Sequence, residues 1–175
     1  FWLISPAGGD PIAIDACGGA GTGAKIDRYR EEGCDIIPPR GPLAALTVAG
    51  TISGWGAAEE ISKSWGGRLP LDRLLADAIG YARDGVAVTA GQVTNTIEKM
   101  PEMGDATGFA DVYTPGGAVP ARGDVFRQPR LADTLARIGE AGTEDFYRGD
   151  LAAAIGADLA AVGSPVERGD LAARS

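Results

Sequence analysis

The chain has 175 residues, of which 45% are hydrophobic, and it carries a formal net charge of −8 at pH 7. This length and apolar fraction suit one domain with its own hydrophobic core, so we interpret residues 1–175 as a single domain. The negative charge argues against nucleic acid and anionic membranes as partners, because both would repel the chain. No stretch is apolar for long enough to predict a membrane-spanning helix.

The chain contains no histidine, and this restricts its chemistry. Nucleophile activation of the Ser-His-Asp or Cys-His type is excluded, and so are most zinc sites. The carboxylates form neither an isolated acid/base pair nor a calcium loop, so we predict no metal, no cofactor and no catalytic residue in this chain. Cys17 and Cys34 could form one disulfide or remain two free thiols, and the sequence does not decide between these alternatives. The cellular compartment is therefore also left open.

The first fifty residues predict a β-hairpin followed by irregular chain. The runs FWLIS and PIAIDA are β-prone and flank a turn-forming PAGGD. The start has neither an initiator Met nor a basic segment, so we expect a fragment or a processed product of a longer protein. The glycine-rich CGGAGTG fits no phosphate-binding fingerprint and predicts a flexible connector or a close backbone approach. Pro38, Pro39 and Pro42 then predict an extended segment without helix.

Helical periodicity dominates the remainder of the chain. The pattern predicts helices from Ser53 to Trp65, from Pro70 to Gly85, from Ala90 to Met100, from Pro129 to Gly142 and from Asp150 to Gly163. Residues 101–127 predict a loop with short helical turns. Thr143 and Asp150 are the predicted N-caps near the corner between the last two helices, over which we expect Phe146 and Tyr147 to pack.

Three blocks of this sequence together resemble the large-subunit region of the gamma-glutamyltransferase family. They are FWLIS…PIAIDA, then LTVAGTISGWGAAEEISKSWGGRLPLDRLLADAIGYARDGVAV, then QPRLADTLARIGEAGTEDFYRGDLAAAIGADL. The last block is the most specific, and its matching positions are Gln128, Pro129, Leu131, Thr134, Leu135, Gly142, Phe146, Tyr147, Gly149 and Ile155. The resemblance extends from Phe1 to Ala173.

The resemblance implies an α+β fold, namely an α-rich fragment of the αββα sandwich of N-terminal-nucleophile hydrolases that begins with a β-hairpin. In this family a precursor cleaves itself before a Thr, which becomes the nucleophile of a separate small subunit and uses its own amine as base. The resemblance therefore implies a partial large subunit, inactive alone. Its expected partners are the remaining large subunit, the small subunit and a small-molecule amide.

One departure from the family bears on the substrate. Glutamyl-transferring members carry an Arg-Glu pair after the second strand, and that Arg binds the α-carboxylate of glutamate. Cys17 and Gly18 occupy these two positions here. The sequence resembles instead the amidohydrolase branch, whose members hydrolyse small amides such as oxamate, or the acylase-like branch.

By this placement we expect Cys17, Gly18 and Gly19 to line the acyl pocket without acting in catalysis. Arg40 is a further candidate for substrate binding, and its Pro/Gly setting leaves both an inward and a solvent-facing direction open. Two other functions stay open at this point. One is a non-catalytic binding or structural domain derived from the family, and the other is true gamma-glutamyl transfer.

Overall fold

The computed structural model describes residues 1–174 and begins with the predicted β-hairpin. Strands β1 (Trp2–Ile4) and β2 (Ile12–Ile14) pair antiparallel, with Trp2 opposite Ile14 and Ile4 opposite Ile12. The turn residues between the two apolar runs separate the strands as the sequence predicts. The hairpin therefore presents the end of β2, and the glycine-rich loop after it, to the helical layer.

Half of the described residues lie in α-helices. They are α1 (Ile26–Glu31), α2 (Thr51–Ser64), α3 (Leu71–Asp84), α4 (Ala90–Met103), α5 (Phe109–Tyr113), α6 (Pro129–Ala141), α7 (Asp145–Arg148), α8 (Asp150–Ala161) and α9 (Arg168–Ala172). The buried core cluster joins several of these elements through Val48, Ile52, Leu75, Ile138, Tyr147, Ala152, Val166 and Leu171. The chain is thus helix-rich with small antiparallel sheets, as the α+β interpretation requires.

Helices α3 and α6 form a closely packed pair. A Cβ at Gly139 of α6 would lie 2.9 Å from the Cα of Asp72 in α3, so the two backbones approach at this point. Short strands β3 (Val86–Ala87) and β4 (Val125–Phe126) pair antiparallel beside them. The chain therefore leaves α3, makes an excursion through residues 90–124, and returns to begin α6.

The boundaries of α3 and α6 follow the predicted signals, with one difference in burial. Gly85 and Gly142 end the two helices with positive φ, which glycine adopts without steric cost. Leu74 follows Leu71 by three positions and precedes Ala78 by four, which is helical spacing for one apolar face, but its side chain is 52% exposed. The buried stripe is consequently narrower than the periodicity indicates.

Two proline-containing segments differ from the prediction. Pro42 begins a one-turn 3-10 helix, Pro42–Ala44, in the segment predicted to be free of helix. Proline fits the first position of a helical turn, where its missing N–H needs no partner. Helix α4 continues through Pro101 to Met103, since a proline this close to the end of a helix removes only one of its last hydrogen bonds.

The corner before α8 is capped by a residue other than those predicted. Neither Thr143 nor Asp150 caps a helix through its side chain, because α7 and α8 have Glu144 and Gly149 at their N-cap positions. The carboxylate of Asp145 accepts instead from the backbone amide of Asp150 at 3.1 Å and is held by Arg137 at 2.8 and 3.0 Å. One buried carboxylate therefore satisfies both the helix start and a guanidinium.

The glycine-rich loop after β2 packs backbone to backbone against residues 46–50. The amide of Val48 donates to the carbonyl of Gly19 at 2.9 Å, and the amide of Gly21 donates to Leu46 at 2.8 Å. A Cβ at Gly18 would lie 1.6 Å from the carbonyl oxygen of Val48, and one at Gly50 would lie 1.8 Å from that of Ala16. The close-approach interpretation of the glycine-rich stretch is therefore the one the structure bears out.

Gly18→Ala should destabilise the fold by about 1–3 kcal/mol, because the new Cβ meets a backbone carbonyl that cannot move away without breaking the adjoining hydrogen bonds. Gly19→Ala is the matched control, since nothing lies within 4 Å of its added Cβ. Urea denaturation of the full-length protein followed by tryptophan fluorescence measures both. Equal midpoints for the two variants would contradict the packing argument.

Asp145→Asn should destabilise the protein at neutral pH, and the deficit relative to the wild type should shrink in acid. Arg137 is the main reason that the pKa of Asp145 falls from 3.8 to about 2; burial opposes this, and the backbone amides of Asp150 and Leu151 assist it. The ionised carboxylate of Asp145 therefore contributes its full stabilisation to the folded state above pH 3.8, and this contribution is lost as the pH falls through about 2.

Unfolding midpoints at pH 7, 4 and 2.5 test this window, with Asp158→Asn on the exposed face of α8 as the control. A deficit that is the same at all three pH values would show that Asp145 acts through its shape and not through its charge.

Candidate functional site

Residues 17–19 lie between two surface clefts instead of lining one pocket. Cys17 lines a cleft of about 420 Å³ together with Phe1, Trp2, Ala16, Thr51 and Trp55. Gly19 lines a second cleft, of about 310 Å³, with Ala20, Thr22, Val48, Asp170, Ala173 and Arg174. The first is bordered by two indole rings and the second by the charged side chains of Asp170 and Arg174, so the two clefts differ in the groups that they present.

The thiol of Cys17 is in an environment that does not activate it. Its side chain is exposed, and its backbone amide donates to Oδ1 of Asp15 at 2.8 Å. Hydrogen bonding to the Asp15 carboxylate is the main reason that the pKa of Cys17 lies above its ordinary value. A protonated thiol is a poor nucleophile. The expected role of Cys17 in lining the acyl pocket stays a prediction.

Gly18 and Gly19 have different surroundings. Gly18 faces the carbonyl of Val48 at a distance that leaves no room for a side chain, whereas the Cα of Gly19 faces open space. Gly18 therefore sets the position of the loop against residues 46–50. Gly19 is the glycine that leaves its cleft open.

Arg40 lines neither of the two clefts. Its Nε is 3.2 Å from Oε2 of Glu102 on α4, and both side chains are exposed to solvent. Lys99, and to a smaller extent Arg40, hold the pKa of Glu102 below its ordinary value. The guanidinium is thus directed at a surface carboxylate, and a role for Arg40 in substrate binding stays a prediction without support from these contacts.

Arg174 is the cation that sequence reasoning missed. Its Nη1 donates to the carbonyl of Cys17 at 2.5 Å, and its Nε donates to Oγ of Ser53 at 3.1 Å. Since 157 positions separate Arg174 from Cys17, no local pattern could have indicated the contact. It brings a guanidinium to the loop where the family resemblance places the substrate.

Tyr147 fixes the position of the segment that contacts Arg174. Its side chain is only 1% exposed, and its hydroxyl donates to the carbonyl of Ala49 at 2.8 Å while accepting from the amide of Ser53 at 2.9 Å. The predicted packing of this residue over the helix corner thus has a second consequence. The corner before α8 positions the start of α2, and with it the hydroxyl of Ser53 that receives Arg174.

Within residues 1–174 no group of three or more Cys, Asp or Glu side chains is arranged to hold a metal ion. No helix in this part of the chain has the length and apolar character needed to cross a membrane. Cys17 and Cys34 are both free thiols.

The chain matches the gamma-glutamyltranspeptidase family over residues 1–174. It is 51% identical to the oxamate amidohydrolase proenzyme of Klebsiella pneumoniae over 174 residues, which cover 99% of this chain and 33% of that protein. Among solved structures it resembles gamma-glutamyltranspeptidase from Pseudomonas nitroreducens, with a TM-score of 0.83, 30% identity, and coverage of 98% of this chain and 49% of that one.

Cephalosporin acylase from Bacillus halodurans has a TM-score of 0.80 and 32% identity, with coverage of 90% of this chain and 30% of that one. The chain therefore has the fold of an α-rich part of an N-terminal-nucleophile hydrolase, beginning with a β-hairpin. It belongs to the gamma-glutamyltranspeptidase family. It spans 33% of the length of the oxamate amidohydrolase proenzyme and 30% of that of a glutathione hydrolase-like proenzyme from Bacillus subtilis.

Proposed function

We propose that this chain is part of the large subunit of an amidohydrolase that cleaves a small amide. Its partners are the remaining large subunit and a small subunit whose N-terminal Thr is the nucleophile. The observation that carries the proposal is the 51% identity to an oxamate amidohydrolase proenzyme across nearly the entire chain. The replacement of the family's substrate-binding Arg by Cys17 supports it, because it removes the partner of a glutamate α-carboxylate.

The proposed reaction needs no histidine, a residue that this chain does not contain. The Thr hydroxyl attacks the amide carbonyl while the α-amine of the same Thr takes the proton and passes it to the leaving amine. Water then hydrolyses the resulting acyl ester and regenerates the hydroxyl. In this scheme residues 17–19 border the acyl group, and the chain alone is inactive because the nucleophile lies on the other subunit.

Purified full-length protein should contain two chains, of which the smaller begins with Thr. Denaturing mass spectrometry with N-terminal sequencing of each chain measures this, and replacement of that Thr by Ala should leave the precursor uncleaved. A single uncleaved wild-type chain would instead favour a non-catalytic member of the family.

Cys17→Arg should lower kcat/KM for a small amide about tenfold, which corresponds to about 1.4 kcal/mol. The reason is that the arginine side chain is larger than the thiol and fills the cleft bordered by the two indole rings. The same variant should gain affinity for a glutamate-bearing substrate. Ala57→Arg, at an exposed position of α2 outside both clefts, is the control for added charge. The pocket assignment is wrong if hydrolysis and glutamyl transfer are both unchanged in Cys17→Arg.

A further inference from the structure

Arg174 places a guanidinium beside the loop that lacks the family's arginine. The contact runs through the backbone of Cys17, whose carbonyl oxygen lies 2.5 Å from Nη1 of Arg174. On its other side, the guanidinium donates from Nε to the hydroxyl oxygen of Ser53 at 3.1 Å. The positive charge at this loop therefore comes from a residue far along the chain.

The guanidinium has donors available for a ligand. It carries five N–H groups in a rigid fork, and within residues 1–174 it makes two hydrogen bonds, to Cys17 and to Ser53. None of the ion pairs in this part of the chain includes Arg174. The residue is half-buried and lines the cleft beside Gly19. An arginine with this geometry suits a carboxylate.

Two carboxylates lie close enough to bear on Arg174, and both are bound to other groups. One is Asp170, in the same cleft. The other is Asp15, whose pKa is lowered mainly by the backbone amide of Cys17 and to a smaller extent by Arg174. Oδ1 and Oδ2 of Asp170, in the same cleft, accept from the amides of Thr22 at 2.9 Å and Glu167 at 2.8 Å. Burial would raise the pKa of Asp170, but these amides bring it below its ordinary value, so the group is ionised. Asp15 accepts from the amide of Cys17. Backbone donors thus stabilise both negative charges.

We propose that Arg174 binds the carboxylate of a small carboxylated amide and is a specificity-determining residue of the proposed hydrolase. The ligand is a short molecule in which a carboxylate lies next to the scissile amide, because the cleft of about 310 Å³ opens directly at the glycine loop. This role rests on the proposed function. Arg174 takes no part in bond making or bond breaking.

The test compares two substrates that differ in one charge. Oxamate and oxamide share a two-carbon skeleton with an amide, and only oxamate carries a carboxylate. In the full-length, processed protein, Arg174→Gln should raise KM for oxamate at least tenfold and leave kcat/KM for oxamide within twofold. Arg174→Lys keeps the positive charge but not the planar set of donors. Its KM for oxamate should therefore lie between that of the wild type and that of Arg174→Gln. Arg83→Gln, which removes a surface arginine paired with Asp133, should behave as wild type.

Each outcome decides between the inference and the proposed function. Equal losses on both substrates would mean that Arg174 only supports the fold, and no loss on either would mean that it does not meet the substrate, so both overturn the inference. A wild-type protein that hydrolyses neither compound overturns the proposed function. Calorimetric titration of the full-length protein with oxamate then tests the binding site directly. Binding that is present in the wild type and abolished in Arg174→Gln supports the inference, and absence of binding to the wild type overturns it.

Discussion

The contact between residues 16–21 and residues 46–50 is the constraint on which the candidate site depends. Two backbone segments can come this close only where no Cβ stands between them, and Gly18 and Gly50 meet that requirement from opposite sides. The hydrogen bond from Val48 to Gly19 then fixes a loop whose glycine content would otherwise leave it flexible. Because the loop is fixed, Cys17 opens on the aromatic cleft and Gly19 on the charged one.

The helical layer supports this contact through one hydroxyl group. Tyr147 reaches from the corner before α8 to the carbonyl of Ala49 and the amide of Ser53, and its burial makes these polar partners necessary. Ser53 in turn receives Arg174. A residue that sequence reasoning assigned to packing over a helix corner therefore also positions the charged group beside the glycine loop.

The parts of this fold that the sequence predicts are those with local causes. Gly85 and Gly142 end helices because of their own backbone freedom, and the hairpin follows from two apolar runs around a turn. The predicted N-cap of α8 was wrong because the carboxylate of Asp145, in the preceding turn, accepts from the first amide of this helix and is itself held by Arg137. Arg174 could not be predicted, since its contact with Cys17 exists only after the chain has folded.

The charge of the whole chain and the charge at the site act in opposite directions. A net charge of −8 disfavours the approach of an anionic ligand, but charges more than about 8 Å away are largely screened at physiological salt. In the proposed site, discrimination between ligands therefore rests on nearby groups, and the carboxylates of Asp170 in the cleft and of Asp15 beside Cys17 are bound to backbone amides. Under these conditions a single half-buried guanidinium can determine whether a carboxylate is accepted, even in an acidic protein.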